Sequence, residues 1–317
     1  MVLLMLTSLM VALIPAVSAS HTTQYAVQRD PAHLTVGDLN CDNHNDILAV
    51  SVMGHYITAL YNDGFGNFAD RQDVFISNND SQRAGFVDTA NSVDAEIADI
   101  DGDGVNDIVY YQENIRFVGE SFVRPGNLTT MWGDCSERVN QWDDTEITVS
   151  NPYHLGMEVG DIDGDDNDDI VLLTSDATAT NQYIQIYRGT DPSLLTNQQS
   201  IPVPLTNGMY VETRLGHWGE TVQGGGIGVP VGDCEDLDLW LLRTPPYNTG
   251  VGTSVGHYDN MTVLEYDCIT NQYPNPLDAT AQGIHEFKLD AEHNYPLYGL
   301  DIADTNDDNE VDLIAAV

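Results

Sequence analysis

Carboxylates recur in this chain at a spacing that suits the capture of a hard cation by oxygen. The nine-residue pattern Asp-x-Asp/Asn-x-Asp-x-x-x-Asp occurs four times, beginning at Asp38, Asp99, Asp161 and Asp304. Oxygens at positions one, three and five, a main-chain carbonyl at seven and a carboxylate at nine can wrap one Ca²⁺; Mg²⁺ would demand a tighter octahedron. The candidate ligands are Asp38, Asn40, Asp42, His44 and Asp46 in the first loop, then Asp99, Asp101, Asp103, Val105 and Asp107 in the second. The third offers Asp161, Asp163, Asp165, Asn167 and Asp169, and the last Asp304, Asn306, Asp308, Glu310 and Asp312. His44, Val105, Asn167 and Glu310 stand at position seven and would contribute their carbonyls. Glycines at positions four and six, such as Gly102 and Gly104, allow a sharp turn around the ion. A helical EF-hand needs a bidentate Glu at position twelve. Ala49, Tyr110, Leu172 and Ala315 stand there instead, so that reading fails.

The elements that must carry these loops are legible on either side of them. A small residue precedes the first Asp (Gly37, Ala98, Gly160, Ala303), and an apolar run follows the last, as in Ile47-Leu48-Ala49-Val50 and Ile170-Val171-Leu172-Leu173. Short runs rich in β-branched residues and bounded by turn residues read as buried strands. First aspartates lie 61 residues apart from Asp38 to Asp99, 62 from Asp99 to Asp161, and 143 from Asp161 to Asp304. The long interval contains Val231-Gly232-Asp233-Cys234-Glu235-Asp236-Leu237-Asp238-Leu239-Trp240, which reads as the same element with its loop shortened. Five units follow, at approximately 34–94, 95–155, 156–228, 229–297 and 298–317. An aromatic meets a turn signal later in each of the first four: Tyr61-Asn62-Asp63-Gly64, Trp132-Gly133-Asp134, Tyr187-Arg188-Gly189 and Tyr266-Asp267. A second hairpin in each unit gives four strands, and helical periodicity is nearly absent.

Gly160-Asp161-Ile162-Asp163-Gly164-Asp165 through Asp169-Ile170-Val171, with its equivalents and Tyr61-Asn62-Asp63-Gly64-Phe65-Gly66, resembles the FG-GAP/VCBS repeats of the integrin α N-terminal β-propeller. The resemblance covers nearly all of the chain after its first residues. It implies an all-β propeller of four-stranded blades, with calcium loops joining the first two strands of each blade. Complete propellers of this family commonly have seven blades. This chain supplies four and part of a fifth, so an incomplete propeller is expected. The implied function is a secreted or cell-surface adhesion module that binds protein or glycan; the alternative is a polysaccharide lyase or hydrolase on the same scaffold. In a four-stranded up-and-down blade the loop holding Cys234 and the turn holding Cys268 share one end, so a Cys234–Cys268 disulfide is expected to replace the missing calcium clip. Cys41 and Cys135 occupy corresponding loops of neighbouring units and form a second candidate pair.

Composition narrows the partners. Fifty acidic against ten basic residues leave a net charge of −40, which repels nucleic-acid phosphates. The acids are 37 Asp and 13 Glu, a bias toward turns and metal loops over helices. Residues 2–14 form an apolar run of signal-peptide length ending before Pro15, and Val17-Ser18-Ala19 offers a cleavage site, so residues 1–19 are expected to be a signal peptide. No later segment is apolar enough to span a membrane. Arg214, His217 and Glu220 around Trp218, placed in an insertion of the third unit, are the strongest enzyme-like concentration, yet no catalytic residue is assigned. Gly224-Gly225-Gly226-Ile227-Gly228 lacks the lysine of a phosphate loop.

Overall fold

The computed structural model describes residues 24–28, 31–51, 56–76, 89–118, 121–123, 126–136, 138–139, 144–149, 153–176, 181–189, 196–204, 209–216, 237–244, 259–267, 270–276, 278, 280–289, 299–303 and 312–316. Among them every regular element is a strand. The first sheet is β1 (Pro31–Gly37), β2 (Asp46–Ser51), β3 (Tyr56–Tyr61) and β4 (Asp70–Phe75), in that order and antiparallel throughout. The second sheet runs β5 (Thr89–Ala98), β6 (Asp107–Val118), β8 (Gly126–Met131) and β9 (Asp144–Val149), with short β7 (Ser121–Val123) folded onto the end of β6. The third contains β10 (Tyr153–Gly160), β11 (Asp169–Ser175), β12 (Asn181–Arg188) and β13 (Thr196–Pro204). The fourth contains β14 (Met209–Gly216), β15 (Asp238–Thr244), β16 (Asp259–Leu264) and β17 (Ile284–Leu289). A final pair, β18 (Gly299–Ala303) and β19 (Asp312–Ala316), repeats the opening of a sheet.

Register repeats as strictly as order. The last residue of each first strand faces the first residue of the second: Gly37 with Asp46, Ala98 with Asp107, Gly160 with Asp169, Gly216 with Asp238 and Ala303 with Asp312. Each of the four full first strands also slips register at one place, between Pro31 and His33, Ser92 and Asp94, His154 and Gly156, and Tyr210 and Glu212.

This register corrects the reading of the fourth unit. Its first strand ends at Gly216, not beside Gly232, and the connection to Asp238 is longer than an aspartate loop rather than shorter. Reading Val231-Gly232 as the strand end before a shortened loop therefore missed the strand. Arg214 consequently sits in β14, the first strand of the fourth sheet, instead of in an insertion of the third.

Alternation along the second strands explains why they read as continuous apolar runs. Ile108 and Tyr110 enter a core shared with Leu48 and Val50 of the first sheet, while Val109 and Tyr111 enter another with Ile170 and Leu172 of the third. Val171 and Leu173 turn the other way, toward Leu239 and Leu241. A strand buried on both faces has no polar side, so its sequence shows no alternation. The small residue ahead of each loop reflects how closely the sheets approach. A Cβ on Gly37 would lie 2.6 Å from Ile97 Cγ2, and one on Gly160 would lie 2.7 Å from Leu237 Cδ1. The first strands themselves lie in series: β1 beside β5, β5 beside β10, β10 beside β14 and β14 beside β18. On the open side of β1, Leu34 is exposed, whereas its register equivalents Ala95 and Met157 are buried between sheets; Val36 is exposed too, and its equivalents Ile97 and Val159 are partly buried.

Candidate metal loops

Three aspartate loops are described, and they share one backbone conformation. Position four has positive φ in each (Cys41 59°, Gly102 68°, Gly164 72°), and so does position six (Asn43 64°, Gly104 82°, Asp166 67°). Left-handed residues on either side of position five curl the chain so that its N–H groups point inward. Asp38 Oδ2 accepts from Asn43 N–H at 2.7 Å, Asp99 Oδ2 from Gly104 N–H at 2.8 Å, and Asp161 Oδ2 from Asp166 N–H at 3.0 Å. One oxygen of the position-five carboxylate accepts from the N–H of position seven: Asp42 from His44 at 2.9 Å, Asp103 from Val105 at 2.8 Å, Asp165 from Asn167 at 3.0 Å.

Positions one, three and nine converge. Asp99, Asp101 and Asp107 each offer an oxygen within 4.8 Å of the others, and Asp161, Asp163 and Asp169 do the same. The first loop has Asp38, Asn40 and Asp46 at these positions. Position five is not in either convergent group, so Asp103 and Asp165 are placed at the rim. The fourth predicted loop, 304–311, lies outside the described residues, with only the backbone of Asp312 placed in β19.

Position nine has a task the sequence reading did not give it. Asp46, Asp107 and Asp169 are buried, and each receives two main-chain N–H groups. Leu39, Ile100 and Ile162, immediately after the first Asp, donate to Oδ2 at 3.0, 3.0 and 3.3 Å. Asn62, Gly133 and Gly189, at the aromatic turns, donate to Oδ1 at 2.8, 2.7 and 2.8 Å. This carboxylate therefore staples the first interstrand loop to the third. Asp238 does likewise in the fourth sheet, accepting from Tyr266 N–H at 3.1 Å beside a connection that is no aspartate loop. Asp238→Ala is expected to cost about 1–3 kcal/mol by stranding a buried N–H. Urea denaturation should show the same loss with calcium and with chelator; a loss confined to calcium-containing buffer would refute the staple.

Position eight was also missed. Asn106 Nδ2 donates to Asp38 O at 2.8 Å, and Asp168 both accepts from Asp99 N–H at 2.9 Å and donates its own N–H to Asp99 O at 2.8 Å. The second and third loops are thus each tied to position one of the loop before. The signal was present in the recurrence of Asn45, Asn106 and Asp168, all capable of such bonds.

Two observations test the fit of a cation. Asp163 Oδ1 is buried and makes no hydrogen bond, an orphaned acceptor inside the third loop. Burial raises Asp107 and Asp169 to a pKa of about 7, against main-chain hydrogen bonds from Gly133 and Ile100 at Asp107, and against Arg188 and the Gly189 N–H at Asp169. Among the described residues no cation lies against Asp107, and a hard divalent ion is a partner its donor set suits. The loops fit. The third is modified by Arg188, a buried guanidinium on Asp169 Oδ2, 3.4 Å from Asp163 Oδ2 and bonded to Tyr266 Oη. No aspartate pattern foretold that cation.

No family model and no curated protein matches this chain. The repeat therefore rests on its own register and loop geometry.

Cys41 and Cys135 form a disulfide with Cα atoms 5.2 Å apart, joining the first loop to the second sheet. Cys234 and Cys268 lie outside the described residues, as do His217, Trp218, Glu220 and the glycine run 224–228. Arg214 donates to Glu158 Oε1 at 2.8 Å, an ion pair between the first strands of two sheets.

Proposed function

We propose that the chain is a calcium-stabilised β-propeller of FG-GAP/VCBS type, exported to the cell surface or medium, where it binds protein or glycan. The observation that carries this reading is the convergence of positions one, three and nine on identically curled loops at one corner of successive sheets. Exposed Leu34 supports the ring, because a neighbouring blade would cover it as neighbouring sheets cover its equivalents Ala95 and Met157. Calcium held by Asp38, Asn40 and Asp46, by Asp99, Asp101 and Asp107, and by Asp161, Asp163 and Asp169 would supply charge neutralisation. Rigid loops at one end of a scaffold are where binding surfaces are commonly built. A cleft of about 400 Å³ between Gln199 of β13 and the 265–283 connection adds carboxylate and amide groups (Glu265, Asp267, Gln272, Asn275), chemistry suited to sugar hydroxyls.

Calorimetric titration tests the loops. Asp99→Asn and Asp161→Asn should each remove one calcium equivalent, with the second loop filling before the third because Arg188 already neutralises Asp163 and Asp169. Arg188→Met is expected to tighten the third loop at least tenfold, about 1.4 kcal/mol. Retention of every calcium equivalent in both Asp variants would overturn the metal reading. A glycan array with and without chelator tests the ligand class; turnover of any arrayed polymer would promote the lyase or hydrolase alternative.

A further inference from the structure

A second cluster of metal-ligating side chains lies away from the loops, on the first strands. His33 of β1 sits between two carboxylates of β5, with Nδ1 3.1 Å from Asp94 Oδ1 and Nε2 2.9 Å from Glu96 Oε1. One donor atom from each of the three lies within 4.8 Å of the others. His154 of β10 brings Nε2 to 3.3 Å from Asp94 Oδ2, its ring stacked on Tyr111 at 5.1 Å between centroids. The repeat itself assembles this group. Counted back from the strand end at the loop, His33 and Asp94 occupy one matching position of the first strands, and Glu96, Glu158 and Arg214 another.

We propose that His33, Asp94 and Glu96, with His154 beside them, bind a divalent transition ion of the Zn²⁺ type, independently of the calcium loops and of ring closure. Three features of the cluster point to a metal. Its donor set mixes imidazole with carboxylate, which nitrogen-accepting transition ions prefer and Ca²⁺ does not. His33 Nε2 is buried and, although 2.9 Å from Glu96 Oε1, is not aligned to make a hydrogen bond with it. Charge is unbalanced as well: among the described residues Asp94, Glu96 and Glu158 face one permanent cation, Arg214, which is paired to Glu158. A dication bound by one nitrogen and two carboxylates would balance that excess. The competing reading is a metal-free clasp in which protonated imidazoles hold three sheets together.

The test uses the full chain, free of any affinity tag and saturated with Ca²⁺, titrated with Co²⁺ as a visible probe for a Zn²⁺ site. One equivalent should give d–d absorption that Zn²⁺ displaces. His33→Gln should weaken binding at least tenfold, while Asp99→Asn and Asp161→Asn leave it unchanged. No absorption band in the calcium-saturated protein at neutral pH would overturn the site, as would an unaltered titration of His33→Gln. If that variant fails to fold by circular dichroism, pulsed electron paramagnetic resonance of Cu²⁺ on the wild-type chain decides. Imidazole nitrogen modulation supports the site, and its absence refutes it.

Discussion

Chelation of calcium from the full chain is expected to lower its melting temperature by roughly 10 °C. At free calcium about ten times Kd each loop contributes about 1.4 kcal/mol, so three loops give about 4 kcal/mol, and a domain of this size shifts by a few degrees per kcal/mol. The effect should grow with pH. Burial holds Asp107 and Asp169 near a pKa of about 7, above the ordinary carboxylate range, so without metal the native state binds more protons than the unfolded chain between about pH 4 and 7. Metal-free stability from these groups therefore falls as pH rises through that window. Calcium would bind the ionised forms, and its binding is expected to strengthen across the same window. The difference between calcium-loaded and chelated melting temperatures should be larger at pH 8 than at pH 5. A melting temperature indifferent to chelator at both would defeat the calcium reading; a difference that does not vary with pH would show that Asp107 and Asp169 are not the carboxylates involved.

Much of the architecture was legible because burial on both faces of the second strands leaves them apolar throughout, as in Ile170-Val171-Leu172-Leu173. Loop conformation was legible from Gly102 and Gly104, since left-handed backbone favours glycine. What escaped was anything set by contact between units. Asp168 looks like one more acid in an acidic loop, and only the neighbouring sheet reveals that it binds the main chain of Asp99. Arg188 reads as an ordinary turn residue until folding buries it against Asp169 and Tyr266. The fourth unit was misregistered because a long connection separates Gly216 from Asp238, which no fixed period anticipates. His33, Asp94 and His154 carry no motif at all; only the packing of separate sheets brings them together.

Loss of the Cys41–Cys135 disulfide should be the most damaging single covalent change, at about 2–4 kcal/mol. The bond spans 94 residues of sequence, so cutting it frees the unfolded chain from a long closed loop. It also holds position four of the first loop, where Cys41 keeps φ at 59°, a conformation unfavourable for any residue with a Cβ. The two effects separate by choice of replacement. Cys41→Ser with Cys135→Ser loses the cross-link and retains the backbone cost. Cys41→Gly with Cys135→Ser loses the same cross-link but places at position four the residue already found there in the second and third loops, Gly102 and Gly164. Urea denaturation in saturating calcium should therefore find the glycine pair about 1 kcal/mol more stable than the serine pair. Its first-loop calcium affinity should also be the closer of the two to the parent, since the curl that gathers Asp38, Asn40 and Asp46 costs glycine nothing. Equal stabilities for the two pairs would mean that the left-handed turn is not what the disulfide maintains, and that its contribution lies wholly in the unfolded chain.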